Sequence, residues 1–339
     1  MTTGRTPAAV GLLAGLVRSA FGAGTRLQHV SRLPGASKKG VYRVTLDGGG
    51  PGTAIVYVWD PREDYWPAAD GTPAGRDDDP FSHATGLDLF RAAHDRLSGL
   101  GIRSPRLYLA DGSREQYPAD AAVVEDVAGP SLEHIIGTEP HRVPPVLQQL
   151  SEALRTLHAD TAGAFGKLRP VASGHAAAGG SCAAVVLARA LADLADAAAR
   201  VPQIADARAR FDGRLHELAA RIGAPRPEHS LIHGELGPDH VLTDGEGRPV
   251  LVDIEGLMYF DPEWEHVFLR LRFGELYRFL REPGLDPHRL ALYRLAMHLS
   301  LVAGPLRLLD GDFPDREPML QIVAYNTRQA CLDIGVTGA

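Results

Sequence analysis

Cysteine is nearly absent from this chain of 339 residues, and the two that occur, Cys182 and Cys331, cannot build a disulfide framework. A reducing cytoplasm is the expected setting. Long uninterrupted apolar runs are missing as well, so no membrane span is expected. The Ala/Leu/Val-rich segment from Pro7 to Ala20 lacks a charged start followed by a clean cleavage site. Its apolar residues recur at helical spacing and predict a short amphipathic cap helix. Basic charge is not in excess: 42 Asp and Glu against 35 Lys and Arg leave a net charge of −7, which argues against a nucleic-acid partner and is compatible with a cationic substrate. Neither His-Glu-x-x-His nor a cysteine pair at zinc spacing is present, so a zinc hydrolase is a poor reading. The 45% of hydrophobic residues is enough for sizeable cores in two domains or lobes.

Against those absences stands one stretch, Leu231 to Gly256, where acids, histidines and turn residues fall in a chemically useful order. Leu231 and Ile232 lead into His233, Glu235, Asp239 and His240 on a loop containing Gly and Pro. A short strand at Val241-Leu242, a turn at Asp244-Gly245-Glu246-Gly247 and a second strand at Pro249 to Val252 then deliver Asp253. Loops at strand ends are where a rigid scaffold presents reactive groups. Glu235 and Asp253, brought to one mouth by a hairpin, suit an acid/base group beside a metal ligand.

This stretch resembles the catalytic loop of the aminoglycoside phosphotransferase-like branch of the protein-kinase superfamily, in which His-x-Asp-x-x-x-x-Asn is followed by a hairpin and a metal-binding Asp. The resemblance puts His233 at the loop histidine, Glu235 at the catalytic Asp, His240 at the magnesium-binding Asn and Asp253 at the principal metal aspartate. Two of these positions depart from the pattern. Glu235 keeps the carboxylate but adds a methylene, and His240 offers an imidazole, which suits manganese or zinc better than magnesium, at a second metal position.

The same resemblance organises the rest of the chain. Leu33 to Gly40, with Ser37, Lys38 and Lys39, is similar to the small-residue flap over the ATP phosphates, although a surface hairpin with solvated lysines has the same appearance. Ala54 to Trp59 is similar to the third strand but carries no lysine at Tyr57 or Val58. The helix expected from Gly86 to Leu100 offers Leu89, Phe90 and Ala92 where the lysine's glutamate partner belongs. Lys38, Lys39 or Arg43 could supply the missing cation, as in the with-no-lysine kinases, or be ordinary surface charges. Gly101 to Tyr108 resembles the turn into the fourth strand, and Ala121 to Leu132 the fifth strand and hinge, with the Glu125 carbonyl and the Val127 N–H toward adenine.

Leu150 to His158 reads as the helix supporting the catalytic loop, with His158 a packed helix-end histidine. Ala183 to Ile222 reads as two solvated helices. Asp261 is placed by the resemblance to brace the catalytic loop, with Glu263, Glu265 and His266 as exposed residues at a helix start or as lining of an acceptor site. A helical tail with a break at Gly304-Pro305 follows.

The fold class implied is α+β: a bilobal protein-kinase-like fold, with a mainly β N-lobe over residues 1–126 and a mainly helical C-lobe over 127–339. The activity implied is ATP-dependent transfer of a phosphoryl group, with magnesium or manganese, to a hydroxyl of a small antibiotic-like molecule. A peptide Ser/Thr acceptor uses the same site. A pseudokinase retained as a nucleotide-binding scaffold is the alternative that the missing third-strand lysine raises.

Overall fold

The computed structural model of the chain describes residues 10–66, 79–174 and 180–336. In chain order they form α1 (Val10–Phe21), β1 (Arg26–Arg32), β2 (Gly40–Asp47), β3 (Thr53–Trp59), α2 (Leu87–Gly99), β4 (Leu107–Asp111), β5 (Asp120–Glu125), α3 (Leu132–Thr138) and α4 (Val143–His158). Next come β6 (Thr161–Ala162), β7 (Gly166–Lys167), α5 (Leu168–Ala172), α6 (Cys182–Arg200), α7 (Pro202–Asp206), α8 (Arg208–Ala220) and β8 (His229–Ile232). The chain closes with β9 (Val241–Thr243), β10 (Pro249–Leu251), β11 (Met258–Phe260), α9 (Pro262–Phe273), α10 (Pro287–Leu308) and α11 (Arg316–Asp333). Pro7 to Ala9, the start of the expected cap helix, lie outside the described residues.

The chain divides into two compact units, the first holding 10–66, 83–153 and 238–256. Its centre is an antiparallel sheet of order β1-β2-β3-β5-β4. The interior strands β3 and β5 bury side chains on both faces, which is why Ala54 to Val58 and Ala121 to Val124 read as unbroken apolar runs. Leu13, Leu16 and Val17 of α1 pack against Tyr42, Val44, Val56 and Val123. Each such side chain gains roughly 1.5–3 kcal/mol on leaving water. Phe90 of α2 meets the Tyr57 ring edge-on at 5.5 Å.

Where the sequence suggests one boundary at residue 126, residues 127–153 and 238–256 group with this sheet. Backbone bonds explain the grouping. Thr243 donates to the Pro130 carbonyl from both its N–H (3.0 Å) and its hydroxyl (2.9 Å). The Leu251 N–H donates to the Arg103 carbonyl at 2.9 Å. Gly129 makes the approach possible, since a Cβ there would stand 2.1 Å from the Thr243 carbonyl oxygen. The β9–β10 turn is closed by Asp244, whose carboxylate accepts the N–H groups of Glu246 and Arg248 at 2.9 Å each.

The second unit holds residues 79–82, 154–174, 180–237 and 257–336. A small sheet of order β6-β8-β11-β7 sits among α6, α8, α9, α10 and α11. The helices of the Ala183 to Ile222 run are less solvated than expected. Val186, Ala190, Leu194 and Ala197 of α6 and Phe211, Leu215 and Leu218 of α8 are buried, because small and large apolar residues together make a core face on each helix. The expected break at Gly304-Pro305 is also absent: α10 continues to Leu308, and Pro305 gives up only the backbone bond that would reach Leu301. Among the described residues, no helix is long and apolar enough to cross a membrane.

Candidate active site

In the first unit the β9–β10 hairpin returns the chain to His240, whose carbonyl accepts the Val252 N–H at 3.0 Å, and sets Asp253 just beyond it. Asp253 adopts φ 57°, in the left-handed region that costs a non-glycine residue energy, of order 1–3 kcal/mol where the surroundings enforce it. Its carboxylate meets a cation there. Lys39, in the loop before β2, is buried, and its Nζ lies 2.9 Å from Asp253 Oδ1 while also donating to Glu255 Oε1. The same ammonium stands 5.1 Å from the centre of the Tyr57 ring on β3.

The sequence leaves β3 without a cation and α2 without a carboxylate; in the structure a lysine from the loop before β2, Lys39, lies over the Tyr57 ring of β3, and its acid partners are Asp253 and Glu255. Burial would lower the lysine pKa, but the charges of Asp253 and Glu255 outweigh it and keep the ammonium protonated. Lys39 in turn holds the Asp253 carboxyl well below the usual carboxylate range against the opposing effect of burial, with His240 and Lys38 adding to the shift. His240 Nε2 stands 3.9 Å from Asp253 Oδ2 and 3.6 Å from Asp239 Oδ2.

The other residues singled out in the sequence divide. Arg43 pairs with Asp126 at 2.9 Å, so it is Lys39 rather than Arg43 that reaches Asp253. Ser37 is turned toward Trp66: its hydroxyl accepts the indole N–H at 3.1 Å, and its carbonyl accepts the Tyr65 N–H at 2.9 Å. The Lys38 carbonyl accepts the Thr85 hydroxyl at 3.1 Å. Glu125 ends β5 with its carboxylate occupied by Arg103 Nη2 (2.8 Å) and the Arg106 N–H (3.0 Å), and the Val127 side chain beyond it is buried.

His233 and Glu235 belong to the second unit, on the loop leaving β8. His233 is buried and Glu235 exposed. The loop backbone is clamped by Glu265, whose Oε2 accepts the His233 N–H at 2.5 Å and the Gly234 N–H at 3.4 Å. Asp261, assigned the bracing role by resemblance, is instead taken up by Arg289 Nε (2.9 Å) and the Tyr293 hydroxyl (2.5 Å). Glu263, Glu265 and His266 are buried rather than exposed, because α9 lies in the core with partners for each: Arg226 for Glu263, the loop backbone for Glu265, and the Tyr277 hydroxyl for His266. Burial would raise the Glu265 pKa, yet His158 and His233 hold it down. Burial would lower the pKa of His158, whereas Glu265 and Glu282 push it up to about 9.

Sequence reasoning missed Glu255 and Glu265. Glu255 stands two residues after Asp253, and a search for the acid that balances a buried lysine would have found it. Glu265 carries no local signal that separates it from Glu263.

The chain matches the phosphotransferase enzyme family over residues 34–293. It belongs to that family. Three solved structures agree with this placement. Aminoglycoside phosphotransferase APH(4)-Ia superposes with a TM-score of 0.62 at 16% identity, covering 98% of this chain and 100% of its own. Spectinomycin phosphotransferase APH(9)-Ia, in complex with ADP and spectinomycin, gives 0.61 at 14% identity and 95% of each chain. Choline kinase LicA from Streptococcus pneumoniae gives 0.58 at 14% identity, over 95% of this chain and 97% of its own. At such identities the likeness concerns the fold, which is the α+β, protein-kinase-like class expected from the sequence. No curated protein sequence matches the chain.

Proposed function

We propose that this family member is an ATP-dependent phosphotransferase that moves the γ-phosphoryl group to a hydroxyl of a small, antibiotic-like molecule. The observation that carries the reading is the Lys39–Asp253–Glu255 triad. A buried ammonium between two carboxylates, one of them on a strained backbone, is costly to build and serves best where phosphate and a divalent cation must be held together. A scaffold released from catalysis would have no need to relocate both the lysine and its acid partner.

The residues present fit a divalent cation. Glu255 Oε2 is buried with no hydrogen-bond partner among the described residues, and the two carboxylates outnumber the single lysine between them. Asp253 and Glu255 would hold Mg2+ or Mn2+ through oxygen, and His240 would add an imidazole nitrogen. When bound, the cation neutralises charge on the phosphates. In this reading Lys39 holds phosphate oxygens beside Asp253, Lys38 adds positive charge from the same loop, and the Glu125 carbonyl and Val127 N–H meet the adenine edge. Glu235, exposed on the clamped loop, orients the acceptor hydroxyl and takes its proton as the phosphoryl group departs from the nucleotide.

The names of the structural neighbours favour aminoglycosides, spectinomycin and choline as first acceptors to try, and a net charge of −7 suits cationic molecules of that kind. Incubation with ATP, magnesium and such a panel, followed by mass spectrometry, tests the reading. A product heavier by one phosphoryl group, formed by the parent and not by Asp253→Asn, is the expected result. A peptide Ser/Thr acceptor is the second arm of the same panel.

A further inference from the structure

Behind the loop clamp lies a group of side chains that the proposed transfer does not use: His158 at the end of α4, His266 in α9 and Glu282 in the segment between α9 and α10. One donor atom from each lies within 4.8 Å of the other two. His158 Nδ1 is 3.0 Å from Glu282 Oε1, and His266 Nε2 is 3.8 Å from Glu282 Oε2. Donors around a tetrahedral zinc with bonds near 2.0–2.1 Å stand about 3.3 Å apart, so a cluster whose donors lie within 4.8 Å of one another would contract on taking up the ion.

We infer that His158, His266 and Glu282 form a binding site for a divalent transition metal of the zinc type, separate from the Lys39–Asp253–Glu255 triad.

Three features favour a metal over a plain hydrogen-bonded cluster. His266 Nε2 has no hydrogen-bond partner among the described residues although His266 is 1% exposed, and it points toward the Glu282 carboxylate. A buried imidazole nitrogen left without a partner is costly unless something else fills its lone pair. His266 also presents its other ring nitrogen to an oxygen, Nδ1 lying 3.1 Å from the Tyr277 hydroxyl, whereas His158 Nε2 stands 3.9 Å from Glu265 Oε2, near its charge but beyond hydrogen-bond distance. Metal-bound histidines are oriented in this way by outer oxygen acceptors, which fix the tautomer and aim the other nitrogen at the ion.

The charge balance points the same way. Glu265 and Glu282 bring two carboxylates to a site whose neighbouring partners are histidines, whereas the other His/Cys/Asp group, Cys182-His229-Asp261, already has Arg226 and Arg289 on its carboxylate. Two imidazoles and one carboxylate suit zinc and disfavour magnesium. Glu282 is partly exposed, so solvent reaches this edge of the cluster. Because Glu265 faces His158 and also clamps the His233 and Gly234 N–H groups, an ion here would stiffen the support of the catalytic loop.

The test uses the full-length chain carrying Asp253→Asn, to silence the phosphate-side metal position, and zinc alone as the probe. Competition with a chromophoric chelator should report about one bound zinc per chain, and zinc should raise the melting temperature as mass action requires. Glu282→Gln should abolish that binding. Tyr277→Phe should weaken it roughly 10–100-fold, as removal of an outer acceptor does. X-ray absorption of the zinc-loaded protein should show two imidazoles around the ion, a reading that needs no substitution at the site. Absence of zinc binding, affinity unchanged by Glu282→Gln, or a zinc shell without imidazole would each overturn the assignment and leave an ion-paired histidine cluster.

Discussion

Lys39 Nζ sits 2.9 Å from Asp253 Oδ1, although the two residues are far apart in sequence. The cation comes from the loop before β2 and the acid from the end of the β9–β10 hairpin. Replacing Lys39 with Met leaves Glu255 buried without its counter-charge, a change that costs about 3–5 kcal/mol for a buried pair. Lys39→Met is expected to lower the melting temperature and to remove stabilisation by ATP with magnesium. Lys39→Arg should keep part of the stability, yet bind nucleotide more weakly, because a planar guanidinium cannot take the place of a compact ammonium beside the Tyr57 ring. A thermal-shift series of the three proteins checks both points. Equal shifts with ATP in all three would remove Lys39 from the nucleotide site.

His240 gives a metal-selectivity prediction. An imidazole ligand shifts preference away from magnesium toward manganese, and His240→Asn should restore magnesium preference by supplying oxygen. Nucleotide binding measured with each metal for both proteins decides it. Identical metal profiles would make His240 a structural loop residue beside Asp239 and Asp253.

Gly129 tests the link between the Gly129-Pro130 segment and the β9–β10 hairpin. Gly129→Ala would set a methyl 2.1 Å from the Thr243 carbonyl oxygen, and since that neighbour is backbone the hairpin must shift. Overpacking of this kind costs about 1–3 kcal/mol. We expect a lower urea midpoint together with weaker metal-dependent nucleotide binding. A stability loss with unchanged binding would show that the hairpin is positioned independently of Pro130.

Asp244 supplies a pH dependence. Burial would raise its pKa, but the Arg248 N–H and side chain and the Glu246 N–H hold it down to about 2, below the ordinary 3.8. A carboxylate depressed on folding stabilises the protein above its unfolded pKa and stops doing so as the pH falls through the folded value. The stability difference between the parent and Asp244→Ala should therefore be full at pH 6 and shrink from about pH 4 toward pH 2. Urea titrations at pH 6, 4 and 3 measure it. A difference that stays constant over that range would mean that Asp244 acts through packing rather than charge.

Much of this was legible in the chain itself, for identifiable reasons. The β9–β10 hairpin and the position of Asp253 follow from local alternation and turn residues, β3 from its unbroken apolar run, and β5 from the family resemblance. The cation absent from the third strand was narrowed to Lys38, Lys39 or Arg43, but the contact between Lys39 and Asp253 was not foreseen, because it depends on which side chain is buried by sheet geometry. Arg43 falls opposite Asp126, while Lys39 falls over Tyr57. Glu265 was hidden for a related reason. Nothing local in Asp261-Pro262-Glu263-Trp264-Glu265-His266 indicates that α9 is buried nearly all round, so acids that look like helix-dipole partners are in fact internal clamps.

The central claim, that Glu235 serves phosphoryl transfer from ATP, is tested most directly by labelled-ATP turnover of the parent, Glu235→Gln and Glu235→Asp, with nucleotide affinity measured alongside. The account predicts that Glu235→Gln loses transfer, by roughly 100-fold or more as expected for removal of a general base, while ATP affinity changes little. Glu235→Asp should also lose rate, since the clamped loop places a carboxylate one methylene longer. The same background signal from all three proteins would contradict the account and leave a nucleotide-binding protein that does not transfer phosphate.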